Sequence, residues 1–223
     1  MAELLKKERE FVMPGDELVK SMDFLPGRNT FREGDSIYSK RLGVVNLNGR
    51  VVSVIPLNIV YMPKVNDMVL GKIEEVQPNG WVVDINSANT AWLPLSGVRE
   101  FIDTKSDLTR YYDIGDMIYG KIAQVSQGSV HISMQDPRAR KLKAGRIVKL
   151  NPAKIPRLIG KAGSMVNVIK KYTDCRINIG QNGLIWIDDG NQELFLRALK
   201  LIEDETFTEG LTDKVTELLG GKS

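Results

Sequence analysis

A short turn phrase recurs four times along the chain and limits the fold more than any other feature. Each copy places Gly or Asn before Asp, and an aliphatic residue two positions after the Asp opens an apolar run, at 15–18, 34–37, 66–69 and 115–118. Gly and Asn tolerate the backbone of a tight turn, Asp accepts hydrogen bonds from backbone amides, and the apolar run starts a strand. Since the spacing is irregular, a solenoid is excluded. The phrase predicts hairpins and small β-barrels.

The first third of the chain is predicted to be a separate β domain, over residues 1–64. Residues 10–62 are rich in β-branched side chains and show no helical period. Asn48-Gly49 lies between two such runs and is a strong hairpin signal.

Residues 65–137 carry five strand signals, at 68–76, 81–85, 91–94, 117–125 and 130–134, with one long connection after the third. This pattern favours a five-stranded OB-type barrel. The runs Gly71-Lys72-Ile73, Asn79-Gly80-Trp81, Ala91-Trp92-Leu93-Pro94 and Ile114-Gly115-Asp116 resemble the S1 RNA-binding domain. Asn79, Val82 and Pro94 stand where that family usually carries base-stacking side chains. RNA contacts of this barrel would therefore come from its basic residues Arg99, Lys105, Arg110 and Lys121.

The net charge of +3 conceals a strongly basic segment. Residues 138–172 carry eleven Lys and Arg side chains and no Asp or Glu. Such a block indicates an anionic partner, although a well-solvated face is the alternative.

Within this block, a strand at 146–150 is followed by Gly160-Lys161-Ala162-Gly163 between two helical segments, then by strands at 175–179 and 184–187 and a helix at 192–204. Val166, Ile169 and Tyr172 have helical spacing and predict the apolar stripe of the second helix. Two glycines let a negatively charged backbone approach closely, and a helix N-terminus favours an anion. The order β-α-α-β-β-α with this loop resembles a type I KH domain, at residues 143–206, with a C-terminal helix or tail over 207–223 that docks on its own or a partner's surface. The resemblance implies a clamp for about four nucleotides of single-stranded RNA. Its residues would be Gly160, Lys161, Ala162 and Gly163, flanked by Arg157 and Ser164, with Lys154, Lys170 and Lys171 as outer contacts.

The composition argues against most enzymes. One His and one Cys cannot build a zinc site or a Cys–His catalytic pair, and the acidic clusters do not form a convergent two-metal set. We therefore expect no catalytic residues, no metal and no cofactor. Trp81, Trp92 and Trp186 lie in predicted strands, where burial is the better explanation. With no apolar run of about 18 residues and no secretory signal at the start, we expect a cytoplasmic protein without a membrane span.

The complete order, β domain, S1 barrel and KH domain, resembles the RNA-binding cap subunits of the archaeal exosome. The resemblance implies three copies on a hexameric ring of ribonuclease-PH-like subunits, with the N-terminal domain docked on the ring. The cap would capture RNA, favour adenine-rich tails and feed the 3′ end to the phosphorolytic ring. A transcription-elongation factor, a polynucleotide phosphorylase fragment and an adaptor that binds no RNA are the alternatives. Gly160→Asp with Lys161→Asp is expected to remove RNA binding and to leave folding intact.

Overall fold

The computed structural model describes residues 3–57, 59–103, 106–204 and 211–220. The chain divides into two compact units, Met1–Ile59 and Val60–Ser223. Each has its own hydrophobic core. Within the described ranges, no helix combines the length and the apolar character that crossing a membrane requires.

In the described residues of the first unit, eight short strands form two four-stranded sheets. The sheet orders are β1-β3-β6-β5 and β2-β7-β8-β4. The strands are β1 (Glu3–Leu4), β2 (Phe11–Val12), β3 (Glu17–Lys20), β4 (Leu25–Pro26), β5 (Thr30–Glu33), β6 (Ser36–Ser39), β7 (Gly43–Asn48) and β8 (Val51–Pro56). Leu18, Ile37 and Val52 are fully buried in the core of this unit. The expected N-terminal β structure is confirmed.

The predicted hairpin joins β7 and β8, but its loop lies one residue further on. Asn48 pairs with Val51 in the ladder, so the two loop residues are Gly49 and Arg50. Gly49 has a φ of 58°, as the first position of a type II′ turn requires.

The recurring turn phrase forms a tight turn before a strand in all four copies, and two of them show the predicted bond from a backbone amide to the Asp carboxylate. Its first residues have positive φ angles, 91° at Gly15, 58° at Gly34, 75° at Asn66 and 92° at Gly115. The carboxylate of Asp16 accepts a hydrogen bond from the Met13 amide at 2.9 Å. The same bond joins Asp116 to the amide of Asp113 at 2.7 Å.

The second unit begins with the five-stranded barrel. Its strands are β9 (Met68–Gln77), β10 (Gly80–Asp84), β11 (Ala91–Pro94), β12 (Met117–Ser126) and β13 (Ser129–Ser133). β13 pairs with β12 on one side and with β11 on the other, and this double pairing closes the ring. Trp81 is fully buried inside, and its Nε1 donates to the Tyr112 carbonyl at 2.9 Å. A short strand that the sequence did not predict, β14 (Arg140–Leu142), extends the sheet beside β12.

The remainder has the expected β-α-α-β-β-α order. Its elements are β15 (Arg146–Lys149), α1 (Ile155–Ile159), α2 (Ser164–Thr173), β16 (Arg176–Ile179), β17 (Leu184–Asp188) and α3 (Gln192–Asp204), followed by α4 (Leu211–Gly220). The antiparallel sheet has the order β15-β17-β16. Ile169 of α2 and Phe195 of α3 belong to the core between the sheet and the helices. Val215 of α4 is fully buried in the same core, so the C-terminal helix docks on its own chain.

The other face of this sheet contacts the barrel. Leu184 and Trp186 of β17 pack with Leu70 of β9 and with Leu142 of β14. The sheet is therefore covered on both faces.

Buried hydrogen bonds also join the β16–β17 turn to the barrel. Asn182 is fully buried, and its Nδ2 donates to the carbonyls of Leu70 and Ile85 at 2.6 and 2.7 Å. Its Oδ1 accepts from the Leu70 amide at 3.3 Å. Gln181 and Met68 exchange two further bonds, at 2.8 and 2.9 Å. These bonds fix the KH domain relative to the barrel.

Candidate nucleic-acid interface

The Gly160–Gly163 loop is a tight bend between two helices. α1 ends at Ile159, Lys161–Gly163 form one 3-10 turn, and α2 begins at Ser164. Gly160 has φ 75° and ψ 175°, and Gly163 lies in the left-handed region at φ 82°. Residues with a Cβ rarely adopt either backbone conformation, which explains why glycine stands at both ends of the bend.

The bend combines a helix N-terminus with a cation at the protein surface. Lys161, Ala162 and Ser164 are exposed. The N-cap residue of α2 is Gly163, which has no side chain to cap the helix, and the first turn holds no acidic residue. In the described part of the chain, no carboxylate forms an ion pair with Lys161. The dipole of α2 thus adds to the ammonium charge and favours an anion here.

The backbone at Ala162 is strained for its residue type. Its φ of 51° and ψ of 29° lie in the left-handed region, which residues with a Cβ other than Asn and Asp seldom occupy. A strained residue in an exposed loop is a common property of ligand-binding sites.

The expectation that Gly160→Asp leaves folding intact is wrong. A Cβ at Gly160 would lie 2.7 Å from the Met165 amide nitrogen and 2.8 Å from its Cβ, at a positive φ. The start of α2 would have to shift. The two central residues of the loop are better positions for charge reversal, because both are exposed and Asp tolerates the backbone of Ala162.

The residues predicted around the clamp do not all lie beside it. Arg157 is half-buried on α1. The Lys154 ammonium group donates to the Glu203 carbonyl near the end of α3, and this bond ties the side chain to the fold. Lys170 and Lys171 are exposed in the last turn of α2, at the opposite end from the loop. The loop itself is therefore the compact part of the predicted site.

Among the barrel candidates, Arg99 has a structural role. Its guanidinium donates to the carbonyls of Met134 at 3.0 Å and Ala139 at 3.3 Å, and also to that of Asp136. These bonds hold the segment that leaves β13. The side chain is thus engaged with the protein rather than directed to a ligand.

The other barrel candidates differ in their surroundings. Lys121 Nζ lies 3.6 Å from Asp136 Oδ2, and Arg138 also pairs with that carboxylate at 3.0 Å. Hydrogen bonds from Arg138 hold the pKa of Asp136 well below its usual range. Arg110 is exposed and lies 3.8 Å from Asp107, while Lys105 lies outside the described residues.

The acidic groups that the sequence raised do not converge. Asp188 and Asp189 each form an ion pair with Arg176 at 2.7 Å. Over the described ranges, no group of three or more His, Cys, Asp or Glu side chains is placed to hold a metal ion.

The sequence prediction treated residues 138–172 as one basic block and named none of the basic residues between 138 and 149 as site residues. Six Lys and Arg side chains between 138 and 149 were given no role, and all six are exposed. The absence of Asp and Glu between residues 138 and 149 was the sequence signal that could have identified them.

The fold and the loop together define an S1–KH protein with an additional N-terminal β domain. Family models match the same three parts: "Exosome RNA binding protein RRP4 N-terminal domain" at residues 9–58, "RRP4, S1 domain" at 60–104 and "KH domain" at 145–193. The Exosome complex component Rrp4 of Methanothermus fervidus is 42% identical over 220 residues, which cover 97% of both chains. That of Thermococcus kodakarensis is 43% identical over 227 residues, covering 98% of this chain and 88% of the relative. The chain belongs to the Rrp4 family of exosome complex components.

A solved structure supports this assignment. It is described as a candidate exosome complex RNA-binding protein, and it superposes with a TM-score of 0.64 at 30% identity. The match covers 73% of this chain and 96% of that one.

Proposed function

We propose that this chain is a non-catalytic RNA-binding subunit of an exosome complex, which captures single-stranded RNA at Gly160–Gly163 and passes the 3′ end to a phosphorolytic ring. The exposed bend at the start of α2 carries the proposal, because it joins an uncapped helix N-terminus to the Lys161 ammonium group. Membership of the Rrp4 family, whose members are named exosome complex components, supports the assembly.

The bend suits a phosphate backbone more than a base. Its glycines allow close approach, the dipole of α2 favours an anion, and Lys161 adds a charge. If the loop neutralises three or four phosphates, the logarithm of the affinity should fall with that of the salt concentration with a slope of about −2 to −3. The proposal includes a preference for adenine-rich tails, which comparison of oligoadenylate with oligouridylate would test.

The first unit supplies a surface suited to docking on the ring. Leu25 and Val51 are paired neighbours on β4 and β8, and Ile55 lies on the same face of β8 as Val51. Their side chains are 59%, 38% and 46% exposed. Exposed aliphatic side chains grouped on one sheet face are typical of a protein interface. Three copies on a hexameric ring of ribonuclease-PH-like subunits would bring three modest RNA sites together and raise the effective affinity.

Charge reversal within the loop tests the clamp. Lys161→Asp with Ala162→Asp keeps both glycines and places two carboxylates where the phosphates would lie. We expect the affinity for a 12-nucleotide oligoadenylate, measured by fluorescence polarisation in 0.1 M salt, to fall by about 100-fold or more. Each phosphate contact contributes about 0.7 to the exponent with which affinity depends on salt. Loss of three contacts therefore lowers the affinity in 0.1 M salt by about 100-fold.

The matched control is Lys20→Asp with Asn48→Asp, which makes the same change of charge at exposed positions of the first unit. It should alter the affinity by less than about threefold, because only the net charge changes. Equal affinities for the clamp variant and this control would refute RNA binding at the loop.

The docking surface is tested by reconstitution. Leu25→Asp with Ile55→Asp should abolish co-elution with ribonuclease-PH-like ring subunits on size-exclusion chromatography. Val125→Asp, at a barrel position with a 39% exposed side chain, should leave co-elution unchanged. Co-elution of the double variant would contradict the assigned surface.

A further inference from the structure

The segment from Arg138 to Lys149, here called the basic strap, joins the last barrel strands to the KH sheet. Its cations alternate with apolar residues: Ala139 and Leu142 are buried, and Ile147 and Val148 are half-buried. All its cationic side chains are exposed, at Arg138, Arg140, Lys141, Lys143, Arg146 and Lys149. The strap is therefore anchored by its apolar side chains and presents only positive charge to solvent.

Part of this charge has no ion-pair partner among the residues that the structure describes. Arg138 pairs with Asp136, and Lys141 pairs with Asp116. In the described part of the chain, Lys143, Arg146 and Lys149 form no ion pair. Exposed cations spaced along an extended segment, without acids between them, match the charge spacing of a nucleic-acid backbone.

A cavity of about 370 Å³ lies beside the strap. Its walls include Arg140, Lys141, Lys143 and Trp186, together with the Arg176–Asp188 ion pair. A second cavity, of about 380 Å³, lies toward the barrel loops and shares Arg140 and Lys141 with the first. The strap thus runs between two openings, each large enough for a nucleotide.

The cavity wall contains more hydrogen-bond donors than acceptors. Trp186 is 94% buried, since its side chain is 6% exposed, and its Nε1 finds no acceptor among the described residues. Asn178 stands opposite Trp186 in the sheet, and its buried Nδ2 likewise has no acceptor in the part of the chain that the structure describes. The Arg140 guanidinium donates to Asn178 Oδ1 at 2.7 Å and lies 6.0 Å from the Trp186 ring centre. Arg140 is exposed and lines the cavity, so its guanidinium can also donate to a ligand rich in acceptor oxygens.

Gly145 shapes this wall. Its φ is 139°, and a Cβ there would lie 2.4 Å from Trp186 Nε1. Only glycine lets the strap backbone pass so close to the indole. The strap therefore packs directly against Trp186, a residue of the cavity wall.

We propose that the basic strap and the cavity beside it form a second binding site for the phosphodiester backbone of single-stranded RNA, with Lys143 and Arg146 as phosphate contacts. This inference rests on the proposed RNA-binding function and extends it from the Gly160–Gly163 loop to the junction of the barrel and the KH domain. An acidic protein segment is the competing ligand. The uninterrupted cationic spacing and the nucleotide-sized cavity favour RNA.

The first test measures affinity for the 12-nucleotide oligoadenylate. Lys143→Gln with Arg146→Gln removes two charges without touching the Arg140 contacts. Two phosphate contacts contribute about 1.4 to the salt exponent, so we expect about 25-fold weaker binding in 0.1 M salt and a slope less steep by about 1.4. Lys20→Gln with Arg28→Gln is the matched control at exposed positions of the first unit. It should change the affinity by less than about threefold and the salt slope by less than about 0.3.

The second test observes the cavity directly. In ¹H–¹⁵N spectra of the full chain, the indole N–H of Trp186, assigned with Trp186→Phe, should shift when the RNA is added. The indole of Trp81, which is bonded to the Tyr112 carbonyl inside the barrel, is an internal reference that should not move.

The outcomes separate this inference from the proposed function. If the Lys161→Asp/Ala162→Asp variant loses affinity, while the strap variant binds RNA normally and the Trp186 signal stays fixed, the clamp stands and the strap site is refuted. If the strap variant loses only its co-elution with ring subunits, the strap binds protein and the inference is also refuted. If neither variant loses affinity for RNA, both proposals fail.

Discussion

Asn182 provides the sharpest test of how the barrel and the KH domain are joined. Asn182→Ala removes three buried hydrogen bonds, to the amide and carbonyl of Leu70 and to the carbonyl of Ile85. Each buried polar group left without a partner costs about 1–3 kcal/mol. Because some of these groups will recover a water, we expect the free energy of unfolding to fall by about 3 kcal/mol.

Urea unfolding followed by tryptophan fluorescence measures this loss. All three tryptophans, Trp81, Trp92 and Trp186, lie in the second unit, so the signal reports on the barrel and the KH domain alone. With a urea dependence of about 2–3 kcal/mol per M, the midpoint should fall by about 1–1.5 M. Asn89→Ala, at an exposed position, is the control and should shift it by less than about 0.2 M. A shift below about 0.3 M for Asn182→Ala would refute the joining role assigned to these bonds.

Two further predictions concern the barrel. Arg99→Ala should lower the urea midpoint by an amount equivalent to about 1 kcal/mol and change RNA affinity by less than twofold, since its guanidinium bonds backbone carbonyls; a large loss of affinity with unchanged stability would show that it contacts RNA instead. Asp136→Asn should lower stability at pH 7. Because the folded state lowers the pKa of Asp136 below its ordinary value of 3.8, its stabilising effect is complete above that value and is lost as the pH falls through the lowered pKa. The difference between the two proteins should therefore persist to pH 5 and disappear only in strong acid, and a difference that vanishes near pH 6 would contradict this assignment.

Local sequence signals account well for the strands. The four Gly/Asn-Asp turns and the alternating apolar runs are properties of short segments, and the five barrel strands lie where they indicated. The β-α-α-β-β-α order and the glycine pair of the loop were predictable for the same reason. Burial of Trp81 and Trp186 followed from their place in strands, whereas Trp92 in β11 is only half-buried.

Long-range contacts explain what the sequence did not predict. The stripe predicted for α2 was Val166, Ile169 and Tyr172, yet Tyr172 is 41% exposed, and Met165 and Thr173 are buried beside Ile169 instead. The α3 and α4 helices pack against α2 and determine which side of it is covered.

Long-range contacts also determine which residues of the candidate site are available to a ligand. Nothing in the sequence near Arg99 or Lys154 indicates that distant carbonyls would engage them. Nor does the sequence show that Asn182 would be buried against the barrel or that the basic strap would pass beside Trp186. The burial of Asn182 depends on the contact between the barrel and the KH domain, and all of these contacts join residues that lie far apart along the chain.

The backbone amides of Lys161, Ala162, Gly163 and Ser164 test the central claim most directly. In a ¹H–¹⁵N titration of the full chain with the 12-nucleotide oligoadenylate, these four amides should be among the largest shifts, and they should return toward their free positions as salt is raised. If RNA binds while all four stay at their free positions, the loop is not the clamp, and the assigned mode of RNA capture is wrong.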